Sequence, residues 1–193
     1  MKELSLNILD IVQNSIRAQA DEISISIDES VASDLYRISI NDNGKGIPQE
    51  IMENVTDPFV TTRTKRRMGL GLSLLKYHAE LTGGSMEIKS LINRGTEVIV
   101  TFSWKHIDRQ PLGDIAGVLV ILIATNQKID FIYRHKTDKG EFRFSSKETK
   151  EYLGTDTLYE SALLEDIGWM IGGNLKEIGA SGFNLRESYK EVI

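Results

Sequence analysis

The chain has no cysteine among its 193 residues, which excludes disulfides, cysteine-ligated zinc and iron-sulfur clusters and leaves the redox compartment open. It also has no apolar run long enough to cross a bilayer. The longest, Ala116 to Ala124, falls well short of the roughly 20 residues a membrane helix needs. A signal-peptide core is missing as well, because Asn7 and Asp10 interrupt the first apolar positions. No membrane association and a cytoplasmic location are therefore expected. Nor is there an excess of positive charge: the net charge is -5 and the basic residues concentrate in one short stretch, so no nucleic-acid surface is expected. Repeats and low-complexity tracts are absent. What is present is an ordinary globular composition, 40% hydrophobic and 26% charged, sufficient for one good core and a small second one.

Periodicity predicts helix 4-19, strand 22-28, strand 36-41, a short helix 49-54, helix 70-82, strand 85-90 and strand 96-104. Ile23, Ile25, Ile27, Ile38, Ile40, Val98, Val100 and Phe102 alternate with polar neighbours and should line one face of a sheet. The expected architecture is α/β (α+β), a two-layer sandwich of a mixed sheet covered by helices. After Trp104 a linker-like stretch, 105-114, carries Pro111 and Gly113. Beyond it, 117-125, 129-134 and 141-145 read as a three-stranded β-meander, covered by helices near 147-153 and 158-178. This divides the chain into 1-104, the linker, and a small C-terminal β/α domain, 115-193, in which no chemical motif is evident. Its apolar strand is expected to pack within the chain, on the first sheet or continuing it, with contact to a partner as the alternative.

Three segments carry the chemistry. In the first helix, Leu4, Ile8, Ile11, Val12 and Ile16 form a core-facing stripe, while Asp10, Asn14 and Arg17 gather on the opposite side. Taken alone, that side also fits an ordinary solvated face. The second segment, Asp42-Asn43-Gly44-Lys45-Gly46-Ile47-Pro48, follows a strand and delivers Asp42 at its end, where a carboxylate would accept from an exocyclic amine such as that of adenine. Gly44 and Gly46 permit close backbone approach to a ligand. A plain Asp-Asn-Gly turn is the alternative for the tripeptide, but a simple hairpin does not need Gly46-Ile47-Pro48. The third segment places Thr61, Thr62, Arg63, Thr64, Lys65, Arg66 and Arg67 before Gly69-Leu70-Gly71-Leu72. A glycine loop opening a helix aims free N-H groups and the positive end of the helix dipole at an anion, and phosphate is the natural guest.

In this order the segments resemble the GHKL ATPases, which include gyrase, the heat-shock-90 chaperone, sensor histidine kinases and MutL. The resemblance runs from about Leu4 to Phe102 and implies a Bergerat-type ATP-binding fold with ATP and Mg2+ as ligands. Asn14 matches the asparagine that holds magnesium, and 42-48 matches the first glycine box. Asp57-Pro58-Phe59-Val60-Thr61-Thr62 looks like the kinase form of the F-box, and Gly69-Leu70-Gly71-Leu72 like the second glycine box. Gly83-Gly84 and Arg94-Gly95-Thr96 fit the closing strands, whose threonine lies near adenine. Hydrolysing members carry a glutamate four residues before the asparagine. Here Asp10 takes that catalytic place, one methylene shorter, and slow hydrolysis is expected. Arg17, Arg63 and Lys65 would offset charge on the terminal phosphate, and 60-68 would close over it as a lid.

The resemblance to kinases raises the question of a phosphoacceptor. His78, His106 and His135 all read as surface or packing histidines, so an acceptor is expected on a separate protein. The expected function is thus a stand-alone serine or histidine protein kinase using Mg-ATP. An ATP-gated regulatory module with little catalysis is the alternative, and a MutL- or gyrase-like motor ranks third. A protein partner or substrate is expected without its identity, and a homodimer is one of the open oligomeric states.

Overall fold

Three isoleucines at every second position make the core of the central strand. In the computed structural model, which describes residues 3-52 and 70-183, β1 (Glu22–Ser30) buries Ile23, Ile25 and Ile27 on one face. Its antiparallel neighbour β2 (Leu35–Asp42) buries Tyr36, Ile38 and Ile40. β-Branched side chains on a pleated, half-buried surface are what this alternation favours. Two further strands, β3 (Met86–Leu91) and β4 (Gly95–Ser103), form a hairpin that pairs with β2 through β4. All eight residues expected to line the core are buried.

Helices cover that face. α1 (Leu4–Arg17) buries Leu4, Ile8, Ile11 and Val12, and Ile16 packs on the same cluster while partly exposed. α1 has no side-chain cap. Instead its first amides donate to linker carbonyls, Leu4 N to Pro111 O at 3.0 Å and Ser5 N to Leu112 O at 2.8 Å, which satisfies donors that every helix start leaves over. α2 (Gln49–Met52) is one turn, and α3 (Leu70–Leu81) buries Leu75 and Ala79. The expected lid and F-box lie outside the described residues.

The C-terminal part corrects one expectation. Residues 117-125, read as a strand, form helix α4 (Ile115–Thr125). The Asp114 side chain caps it by accepting from Gly117 N at 2.8 Å. α4 is apolar on nearly all sides and therefore shows no helical period in sequence, because it is buried on most of its circumference. A crossover is what the topology requires here. β4 ends where β1 ends, yet β5 (Asp130–Lys136) runs parallel to β1, pairing Glu22 with Asp130. The chain must travel back along the sheet before β5 begins, and a helix accomplishes this. β5 and β6 (Glu141–Ser145) then extend one six-stranded sheet, in the order β3-β4-β2-β1-β5-β6, so the expected three-stranded meander is a two-stranded extension. α5 (Ser146–Leu153) and α6 (Ser161–Glu177) follow. Gly168 and Gly172, buried in α6, accompany its close packing on α4.

At the end of β1 distant from Asp42, a buried polar cluster joins four parts of the chain. Glu29 accepts from His135 Nε2 at 2.7 Å, Trp104 Nε1 at 3.1 Å and Ser181 N at 2.9 Å, and also from Ser181 Oγ. His135 Nδ1 pairs with Tyr133 Oη at 2.7 Å. His135 is thus a packing histidine, wholly buried. Burial alone would raise the Glu29 pKa, but the hydrogen bonds from His135, Ser181 and Trp104 outweigh it and hold the carboxyl below its usual value. Its stabilising contribution is therefore complete above the ordinary carboxylate range and is lost as pH falls through the lowered folded value. Glu29→Ala, which strands several buried donors, should cost about 3 kcal/mol at pH 7. Urea unfolding at pH 7 and at pH 3 checks this: the gap between wild type and variant should shrink in acid, and a gap of equal size at both would contradict it.

Candidate functional site

The site end of the sheet is built around one carboxylate. Asp42 closes β2 with its side chain on the helix-covered face, and it is only 7% exposed. Both of its oxygens already hold a donor: Ser15 Oγ gives its proton to Oδ2 at 2.6 Å, and Gly44 N gives its own to Oδ1 at 2.9 Å. Two donors fix the carboxylate plane. Each oxygen keeps a further lone pair for a ligand donor.

The loop after Asp42 is held against its surroundings by glycine. A Cβ on Gly44 would come within 2.8 Å of Ala18 O, and one on Gly46 (φ +70°) within 2.1 Å of Leu91 O. Those approaches bring the loop against the end of α1 and against the β3-β4 turn, where Lys45 N donates to Ala18 O and Asn93 N to Lys45 O. Asn43 completes the bracing by accepting from the backbone N-H of Asp21 and Glu22.

A polar row crosses three strands here. Asp42 pairs in register with Thr96 of β4, and Thr96 with Ser90 of β3. Residues directly opposite in an antiparallel pair share a face, so Ser90, Thr96 and Asp42 line up beneath the cover helices, with Ser15 of α1 above Asp42. Ser90 Oγ lies 2.9 Å from Thr96 Oγ1 and accepts from Ile47 N at 2.8 Å.

Helix α1 supplies the remaining expected groups. Arg17 donates to Asn14 Oδ1 at 2.8 Å, so these two form a pair, with Asn14 half-buried and Arg17 exposed. Asp10 lies instead against the first turn of α3. A Cβ on Gly71 would come within 1.8 Å of Asp10 Oδ2, so a side chain there would displace the carboxylate. Leu72 packs partly buried on the core.

Of the expected site residues, the fold thus brings Asp42, Gly44, Gly46, Ile47 and Thr96 into one cluster and pairs Asn14 with Arg17 and Asp10 with Gly71. Leu70 opens α3. Phe59, Thr61, Thr62, Arg63, Lys65 and Gly69 lie outside the described residues. Sequence reasoning overlooked Ser15 and Ser90. Ser15 follows Asn14 directly and its helical phase brings it under α1, a signal that was available. Ser90 carries none, since nothing local marks a strand serine as facing a loop 43 positions away.

Magnesium is the ion the asparagine implies. Among the described residues no three His, Cys, Asp or Glu side chains gather in a way that would hold a metal. Asn14 Oδ1 carries one hydrogen bond and retains a lone pair. A lone protein oxygen suits Mg2+, which keeps most of its shell as water and phosphate oxygen. The residues fit the ion in that restricted sense.

The family described as "Histidine kinase-, DNA gyrase B-, and HSP90-like ATPase" matches residues 2-106. Sporulation kinase D of Bacillus subtilis is 35% identical over 94 residues, covering 49% of this chain and 18% of that protein. A putative sensor protein of Shewanella frigidimarina is 32% identical over 109 residues, covering 55% and 17%. The chain thus spans less than a fifth of these curated relatives. Among solved structures, the catalytic domain of histidine kinase ThkA is 30% identical with a TM-score of 0.42, covering 54% of this chain and 68% of its own. The Aquifex aeolicus MutL ATPase domain complexed with ADP is 17% identical with a TM-score of 0.49, covering 80% and 70%. With more than half of its length matched, this chain belongs to the histidine kinase-, gyrase B- and HSP90-like ATPase family.

Proposed function

We propose that the chain binds Mg-ATP and passes the terminal phosphoryl group to a separate protein. The observation that carries the first half is the Asp42 carboxylate, buried and oriented by Ser15 and Gly44 N, with lone pairs left to accept from the adenine amino group. The phosphates would then run toward the start of α3, where backbone N-H groups and the helix dipole favour an anion. Bound magnesium would neutralise phosphate charge, and Asn14 is the residue that would hold it. Arg17 keeps Asn14 Oδ1 oriented and adds a positive charge beside it. Phosphoryl transfer depends mostly on positioning and charge neutralisation, which these residues supply without a nucleophile of their own. The kinase-like relatives support a protein acceptor.

One observation favours a second reading, an ATP-gated regulatory module. Asp10 stands against Gly71 at the first turn of α3, a place where its carboxylate competes with phosphate rather than activating a nucleophile.

Two measurements test these readings. Asn14→Ala should weaken ATP binding in magnesium by at least tenfold, corresponding to about 1.4 kcal/mol, and should weaken binding far less when EDTA removes the ion. Calorimetric titration reads both, and an equal loss in both conditions would remove Asn14 from the metal. Incubation with γ-labelled ATP and cell extract separates the activities: label on an extract protein supports the kinase, free phosphate alone a motor, and tight binding with neither the switch.

A further inference from the structure

Ser90 is not among the residues that touch nucleotide in the reading above, yet its hydroxyl meets three polar groups. Ile47 N donates to it at 2.8 Å, Gly95 O lies at 2.9 Å, and Thr96 Oγ1 at 2.9 Å. A serine hydroxyl has one proton and two lone pairs. The Ile47 amide occupies one lone pair. The Gly95 carbonyl has no proton to give, so that contact exists only if Ser90 donates to it. The remaining contact then requires Thr96 to donate to Ser90. All three bonds coexist under this one arrangement and no other.

The consequence falls on Thr96. With its single proton turned toward β3, Thr96 Oγ1 offers only lone pairs in other directions. Its cross-strand neighbour Asp42 is likewise an acceptor, its carboxylate oriented by Ser15 and by Gly44 N. Two adjacent acceptors on one face of the sheet match an exocyclic amino group, which has two hydrogens to give, and repel a carbonyl oxygen in its place.

We propose that Ser90 is a positioning residue that locks the Thr96 hydroxyl as an acceptor, so that the row Ser90-Thr96-Asp42 selects a purine bearing a 6-amino group and rejects its 6-oxo counterpart. This rests on the ATP-binding reading and assigns its base selectivity to a proton direction set one strand away from the ligand. Ser90 also supports the loop through Ile47 N, so a merely structural role predicts equal losses for every nucleotide.

ATP and inosine triphosphate separate the two roles, since they differ at the 6-position and the adjoining ring nitrogen. Calorimetric titration of the full chain with each nucleotide should show wild type preferring ATP. Ser90→Ala frees the Thr96 proton and should narrow that preference about tenfold, the size of one good hydrogen bond, while Ser90→Thr restores it. Thr96→Val approaches the same acceptor from the other side: it should weaken ATP and leave inosine triphosphate nearly unchanged. An unchanged ratio in Ser90→Ala with both affinities reduced equally overturns the proposal, as does equal weakening of both nucleotides by Thr96→Val. If Ser90→Ala does not fold, the Thr96→Val ratio decides alone. Wild type binding neither nucleotide would instead remove the ATP reading, a result distinct from ATP binding with unaltered selectivity.

Discussion

Asp42→Ala should lose nucleotide binding by at least about a hundredfold while keeping its fold, because the substitution removes the acceptor around which the adenine end of the site is arranged. The carboxylate is 7% exposed and already accepts from Ser15 Oγ and Gly44 N. Its removal leaves one hydroxyl and one amide without their partner, at a cost of about 2 kcal/mol. That is tolerable, since Asp42 sits at the last position of β2. Far-UV circular dichroism should therefore match wild type, with the unfolding midpoint only a few degrees lower, while calorimetry with ATP shows little heat. Asp42→Asn, which retains one acceptor oxygen but presents an amide donor to the ligand amine, should lie between the two. Micromolar ATP affinity in Asp42→Ala would contradict the site.

Gly95→Ala should be the most damaging substitution to the site's framework, with an expected loss of more than about 4 kcal/mol, a size reached only by special positions. Two independent costs coincide there. Gly95 has φ +96°, a conformation that L-residues other than glycine adopt only under strain. A Cβ would also lie 1.8 Å from Asp42 O and 2.9 Å from Asn43 Cα, so backbone must move where β2 ends and the glycine loop begins. The displaced register would separate Thr96 from Asp42. Urea denaturation should show a population of unfolded chain even without denaturant, and nucleotide should not rescue it fully. A loss under about 1 kcal/mol would mean that the junction tolerates a side chain, which the geometry forbids.

The fold was legible where a local period carried it. Ile23, Ile25 and Ile27 alternate, Leu4, Ile8, Ile11 and Val12 repeat at helical spacing, and both patterns reappear as buried faces. The glycines of 42-48 were legible for a related reason, since a close backbone approach leaves its mark at the residue that makes it. Residues 115-125 misled because a helix buried nearly all round has no polar side to reveal its turn. The partnership of Glu29 with His135 was illegible for another reason: each looks like an ordinary strand residue, and only the parallel pairing of β1 with β5 sets them side by side.

The amino-acid order by itself determined the family, the glycine-bearing segments and the core faces of β1, β2 and β4, because each of these is written in contiguous residues whose spacing or glycine content has a direct geometric meaning. Tertiary structure alone decided that the C-terminal strands lengthen the same sheet, that Asp10 stands against Gly71, and that Ser15, Asp42, Thr96 and Ser90 form one connected row. These are meetings between residues far apart in the chain. They depend on strand order, register and helix phase together, which no local stretch of sequence contains.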